Sequence, residues 1–118
     1  MPQKNDEPST FKIFDRDIDN ETEISLRSSL ALAVDTEAMG LIHGRDRLCL
    51  IQICDELDNV ICIRVEKNQS SAPNLKSILE RQTIEKVFHF ARFDVAALAS
   101  NLNIEVNPIF CTKIASKI

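Results

Sequence analysis

Residues 30–37 read Leu30-Ala31-Leu32-Ala33-Val34-Asp35-Thr36-Glu37, a continuous apolar run that ends in charge. A run of this kind is the pattern of a central strand buried on both faces. Side chains two apart on a strand point to the same face, so Asp35 and Glu37 present two carboxylates side by side. Paired acids at a strand end repel unless something positive lies between them, and hard divalent cations seek such oxygen ligands.

Outward from this strand, GLIHGRDR at 40–47 is a turn region holding both glycines of the chain. With only Gly40 and Gly44 available, neither a GxGxxG dinucleotide loop nor a GxxxxGK phosphate cradle exists. Leu48 to Cys54 and Val60 to Val65 read as two further strands, joined by the polar turn Asp55-Glu56-Leu57-Asp58-Asn59. Connections this short leave no room for a crossover helix, so the three strands form an antiparallel meander.

Before the meander, residues 1–10 are a polar lead, Phe11 to Phe14 opens a short edge strand, and Asn20 to Leu30 reads as a helix capped by Asn20. Its apolar positions are Ile24, Leu26 and Leu30. After the meander, Asn74 is expected to cap a helix over Leu75 to Glu80, and Lys86 to Phe90 forms a strand. A longer helix from Ala91 to Leu102 carries the stripe Val95, Leu98, Ala99 and Leu102. A last strand at Pro108 to Cys111 and the start of a helix at Thr112 to Ile118 complete an α/β order. Strands joined by crossover helices are parallel, and such sheets place chemistry at the strand ends.

His89-Phe90-Ala91-Arg92-Phe93-Asp94 runs from a strand into a helix whose first turn carries an acid. The helix dipole alone explains an aspartate there. Yet Asp94 also falls near the end of a strand able to lie beside the one carrying Asp35, which brings a third carboxylate toward the first two. Net charge is −4, but residues 1–30 account for −3 of it with seven acids against four bases. The remainder, with eleven acids and ten bases, is near neutral and leaves nucleic acid open as a partner.

In this order, Val34-Asp35-Thr36-Glu37, the turn leading into Arg47 to Ile53, Asn74-Leu75-Lys76 and His89 to Asp94 resemble the ribonuclease D family of DEDD 3′–5′ exonucleases. The resemblance covers residues 31–118. It implies a ribonuclease H-like mixed sheet, an antiparallel three-strand meander plus parallel strands with crossover helices, in an exonuclease domain over 11–118. It also implies two divalent metal ions, Mg²⁺ or Mn²⁺, held by Asp35, Glu37 and Asp94, which are then the catalytic residues. Met39, Leu41, Phe93 and Arg92 are the implied substrate contacts, with Arg45, Arg47 and Lys113 as further phosphate candidates. RNA is the expected partner and single-stranded DNA the second; no membrane and no protein partner are indicated.

Members of that family carry a third motif, Tyr-x-x-x-Asp, and this chain has no tyrosine. A sister group uses His-x4-Asp in that place; His89 and Asp94 have the spacing but sit where the second motif belongs. The domain is therefore expected to be incomplete at its C-terminus, a truncated exonuclease with impaired activity or a catalytically silent nucleic-acid-binding remnant. A small protein whose acids are purely structural is a third reading. Cys49, Cys54, Cys62 and Cys111 show neither a CxxC pair nor zinc spacing, and read as buried thiols of a cytoplasmic protein.

Overall fold

The structure is a computed structural model that describes residues 10–38, 47–89 and 91–111. Its elements are β1 (Phe11–Asp15), α1 (Asn20–Leu26), β2 (Ala31–Ala38), β3 (Leu48–Cys54), β4 (Val60–Arg64), α2 (Pro73–Leu79), β5 (Glu85–Phe88), α3 (Ala91–Leu102) and β6 (Ile109–Cys111). They build one six-stranded sheet in the order β1-β4-β3-β2-β5-β6. β2, β3 and β4 are antiparallel neighbours, whereas β2, β5 and β6 run parallel and β1 runs parallel to β4 at the edge. The mixed sheet, with its meander and crossover helices, is the architecture the sequence predicts. The expected helix at 112–118 and the lead at 1–9 lie outside the described residues.

The core occupies one face of the sheet. Leu32 and Val34 of β2, Ile51 and Ile53 of β3, Ile61 and Ile63 of β4 and Phe88 of β5 pack against Leu26 of α1, Leu75, Ile78 and Leu79 of α2, and Leu98 and Leu102 of α3. The alternate residues Ala33, Asp35, Glu37 and Gln52 are exposed on the other face. β2 is central as expected, but only one of its faces is buried among the described residues. The small side chains of Ala31 and Ala33 make its sequence look apolar on both.

Three helix expectations need correction. α1 ends at Leu26, and its cap is Asp19, whose Oδ1 accepts from the Thr22 amide at 2.9 Å. Ile24 and Leu30 are exposed at 60% and 75%; Leu30 lies beyond the helix, where its carbonyl accepts from the Glu85 amide at the start of β5. α2 begins at Pro73, and its N-terminal amides are capped from outside: Asp17 accepts from the amides of Asn74 and Leu75, both at 2.9 Å. In α3 the buried face is Ala91, Asp94, Ala97, Leu98 and Leu102; Ala99 is exposed and Val95 half-buried. β5 stops at Phe88. Because Asp17 satisfies two amides of a distant helix and a third of its own segment at Ile18, Asp17→Ala is expected to cost about 1–2 kcal/mol. The midpoint of a urea titration measures the loss.

Acid sensitivity has an identifiable source. Glu23 accepts from Arg27 and from the Ser77 hydroxyl at 2.7 Å, joining α1 to α2. Glu80 accepts from the Glu105 amide at 2.8 Å and from Lys76 at 2.9 Å, joining α2 to the loop after α3. These partners hold both carboxyls below the ordinary value of 4.5, Arg27 first for Glu23 and the Glu105 amide first for Glu80. Groups depressed in the folded state stabilise it fully above their unfolded pKa and lose that contribution as pH falls through the folded one. The melting temperature is therefore expected to hold down to about pH 4.5 and drop steeply below it, less steeply in Glu23→Gln.

Candidate active site

β5 and β6 end level with each other, at Phe88 and Cys111, while β2 runs on past them to Ala38, and the candidate residues gather there. The register pairs Ala33 with Val87, so continuing it two residues sets Asp35 level with His89, just before α3 begins. Across the antiparallel pair Asp35 faces Gln52 and Glu37 faces Leu50, with a bulge between Glu37 and Ala38. Asp35 and Glu37 are both exposed on the open face of the sheet, side by side as the alternation of β2 requires.

Asp94 arrives from the opposite side. In the first turn of α3 it points into the sheet and is only 6% exposed. The Thr36 hydroxyl donates to its Oδ1 at 2.6 Å, a contact between residues 58 positions apart. Burial raises the Asp94 pKa and the negative charge of Asp35 raises it further, while the Thr36 hydrogen bond works the other way. Thus Asp35 and Asp94 are in electrostatic contact around the end of β2. Even so, among the described residues no three of His, Cys, Asp and Glu lie close enough together to hold a metal ion.

Thr36 is the residue that sequence reasoning passed over. The signal was present: a hydroxyl flanked by two outward acids must turn toward the core, where it needs a partner. Thr36→Val is expected to lower stability by about 1–2 kcal/mol, since Asp94 then keeps a buried oxygen without its donor; a chemical melt tests it.

Of the other predicted contacts, Arg92 and Phe93 lie in the same first turn of α3 and are both exposed, Phe93 at 38%. Arg47 is half-buried and donates Nη1 to the Val65 carbonyl at 2.9 Å. Met39, Leu41, Arg45 and Lys113 fall outside the described residues. Beside Asp35 the open face dips into a hollow of about 410 Å³ lined by Ala33, Asp35, Gln52, Cys54, Val87 and His89. All four cysteines are free; Cys62 is buried and the others are half-buried. Nearby acids at Asp58 and Asp55 add to burial in pushing the Cys54 thiol up.

Residues 11–118 match a family described as 3′–5′ exonuclease. No curated protein matches the chain. Among solved structures, Brucella melitensis NrnC with bound Mg²⁺ is similar at 42% identity and a TM-score of 0.84, over 92% of this chain and 52% of that one. The same protein bound to pGG is 41% identical at the same TM-score. Escherichia coli RNase D, at 23% identity and a TM-score of 0.68 over 81% of this chain and 25% of that one, shares the fold. The chain spans about half the length of the NrnC chains it resembles.

Proposed function

The chain belongs to the 3′–5′ exonuclease family, and from that premise we propose that it hydrolyses phosphodiester bonds at the 3′ end of RNA with the help of divalent metal ions. The observation that carries this reading is the electrostatic coupling of two carboxylates, Asp35 on β2 and Asp94 at the start of α3, where β5 ends beside β2. Asp94 is buried, and Asp35 is near enough to raise its pKa. An all-oxygen donor set under like-charge strain fits a hard cation such as Mg²⁺ or Mn²⁺. Asp35 and Asp94 would hold such ions, with Glu37 as the adjacent donor. When bound, these ions activate water and neutralise charge developing on phosphate oxygens.

The remaining roles belong to the chain's own groups. The Thr36 hydroxyl orients the Asp94 carboxyl. Phe93, exposed in the same turn, offers an apolar surface to the terminal nucleotide, and Arg92 a cation for its phosphate. RNA is the substrate class favoured, supported by the pGG complex of NrnC. The four free thiols suit a reducing compartment, and the cytoplasm is the proposed location. Among the described residues no helix is long and apolar enough to cross a membrane.

A second reading rests on two observations: the chain has no tyrosine, and the described acids form no three-residue metal cluster. Under it the chain binds RNA and cuts it slowly or not at all. One assay separates the readings. The pure chain is incubated with 5′-labelled single-stranded RNA and Mn²⁺, with and without EDTA. A ladder shortened from the 3′ end and abolished by EDTA supports the enzyme; intact RNA that is nonetheless retained by the protein supports the binder.

A further inference from the structure

Seven residues along α3 from Asp94, about 10 Å at the helical rise, the surface opens into a second hollow of about 340 Å³. It lies between the segment after β4 and the last turn of α3, with Arg47, Lys67 and Asn68 on one side and Ser100 and Asn101 on the other. Leu48 forms part of its floor, and the register sets Leu48 beside Ala38, one residue past Glu37. The hollow is therefore next to the acids, on the side away from the hollow lined by Ala33 and His89.

Its charge is the reverse of the acid site. The Arg47 guanidinium is oriented by the carbonyls of Val65, at 2.9 Å, and Leu48, at 3.5 Å. Both partners are neutral, so the charge survives while the side chain is held against the wall. Lys67 makes no ion pair and the Asn68 amide no hydrogen bond among the described residues. Glu66, the one acid of the lining among the described residues, is taken up by Arg16 at 2.8 Å. Asn101 is committed to the scaffold, accepting from the Leu48 amide at 3.2 Å and donating to the Ala97 carbonyl at 2.9 Å. Among the described residues, what remains for a ligand is two cations and a free amide, with no aromatic ring for a base to stack on. That set suits phosphate, which a guanidinium meets with its fork and an ammonium as a point charge.

We propose that this hollow binds backbone phosphates of the RNA strand a few nucleotides upstream of the terminal one, so that the protein holds longer strands more tightly than dinucleotides. The proposal rests on the exonuclease reading, which supplies the position of the strand's end.

The test is equilibrium binding of the full chain to a 5′-fluorescein RNA octamer and a 5′-fluorescein RNA dinucleotide, in EDTA so that neither is cut. Lys67→Ala is expected to weaken octamer binding about 3–10-fold at low salt and to flatten its salt dependence by about 0.7 in log–log slope, the loss of one phosphate contact to a single strand. Dinucleotide affinity and melting temperature stay unchanged, and Lys67→Arg restores the octamer. Equal octamer affinity in Lys67→Ala, or an equal loss for both RNAs, overturns the hollow while leaving the exonuclease reading intact. Displacement of the octamer by an acidic peptide as readily as by unlabelled RNA marks a generic anion surface and also overturns it. If neither RNA binds the unsubstituted chain, the hollow is overturned, and the EDTA-sensitive shortening assay decides the exonuclease reading separately.

Discussion

Asp35→Asn is expected to reduce Mn²⁺-dependent shortening of RNA by at least about 10²-fold, or roughly 2.7 kcal/mol of transition-state stabilisation. The substitution keeps the shape of the side chain and removes its charge. Asp35 is exposed on the open face of β2 and contributes nothing to the core, so the fold has no reason to suffer. Stability should stay level or rise slightly, because Asp94 loses the like charge that Asp35 directs at it. An unchanged melt beside a collapsed rate separates a lost cation donor from a damaged protein. The metal response gives an independent readout: Mn²⁺ should raise the melting temperature of the unsubstituted chain and raise that of Asp35→Asn much less, since a ligand stabilises only the state it binds. Wild-type rates in Asp35→Asn would sink the assignment of this acid to the metal ions.

The largest effect on stability is expected at Lys86. It is fully buried on the core side of β5, where its register partner is Leu32. Its ammonium donates to the carbonyls of Arg81 and Ile84, both at 2.6 Å, and of Asn107 at 2.9 Å. Burial pushes its pKa down to about 8, so at neutral pH the group is charged and its three N–H donors meet three oxygens. These carbonyls belong to the α2–β5 connection and to the segment entering β6, so one side chain pins two loops to the strand between them. Lys86→Met removes the donors and strands the carbonyls, which the backbone cannot withdraw. A loss of about 2–4 kcal/mol follows, read as a lower urea midpoint with an unchanged m value. Lys86→Arg should fail to rescue, since a planar guanidinium cannot reach three convergent carbonyls from one point.

Much of the fold is legible because it is written in local chemistry. The meander is visible in apolar runs spaced too closely for helices, and its second turn is explained by Asp55, whose Oδ1 accepts from the amides of Leu57 and Asn59, both at 2.9 Å. The two outward carboxylates of β2 follow from a side-chain period of two, and an acid in the first turn of α3 from the order of the segments. What is not legible depends on groups far apart in the chain. The start of α2 is capped by Asp17, from the segment before α1. Leu30, beyond the end of α1, gives its carbonyl to the Glu85 amide at the start of β5. Asn20 and Asn74 have the residue type of caps, yet the cap roles go to whichever oxygens the tertiary structure brings within reach.

The same division runs through the site. By itself the sequence determined that Asp35 and Glu37 share one face of a strand and that Asp94 falls in the first turn of a helix, because acid spacing on a strand and at a helix start depends only on backbone geometry. Only the tertiary structure decided that Asp94 is buried beside Thr36, that its pKa is raised by that burial and further by Asp35, that Arg47 lines a separate hollow, and that Lys86 is a core residue. These depend on desolvation and on partners distant in the chain, 58 positions apart for Thr36 and Asp94. Burial and charge proximity are properties of the packed sheet, which no local pattern in the chain encodes.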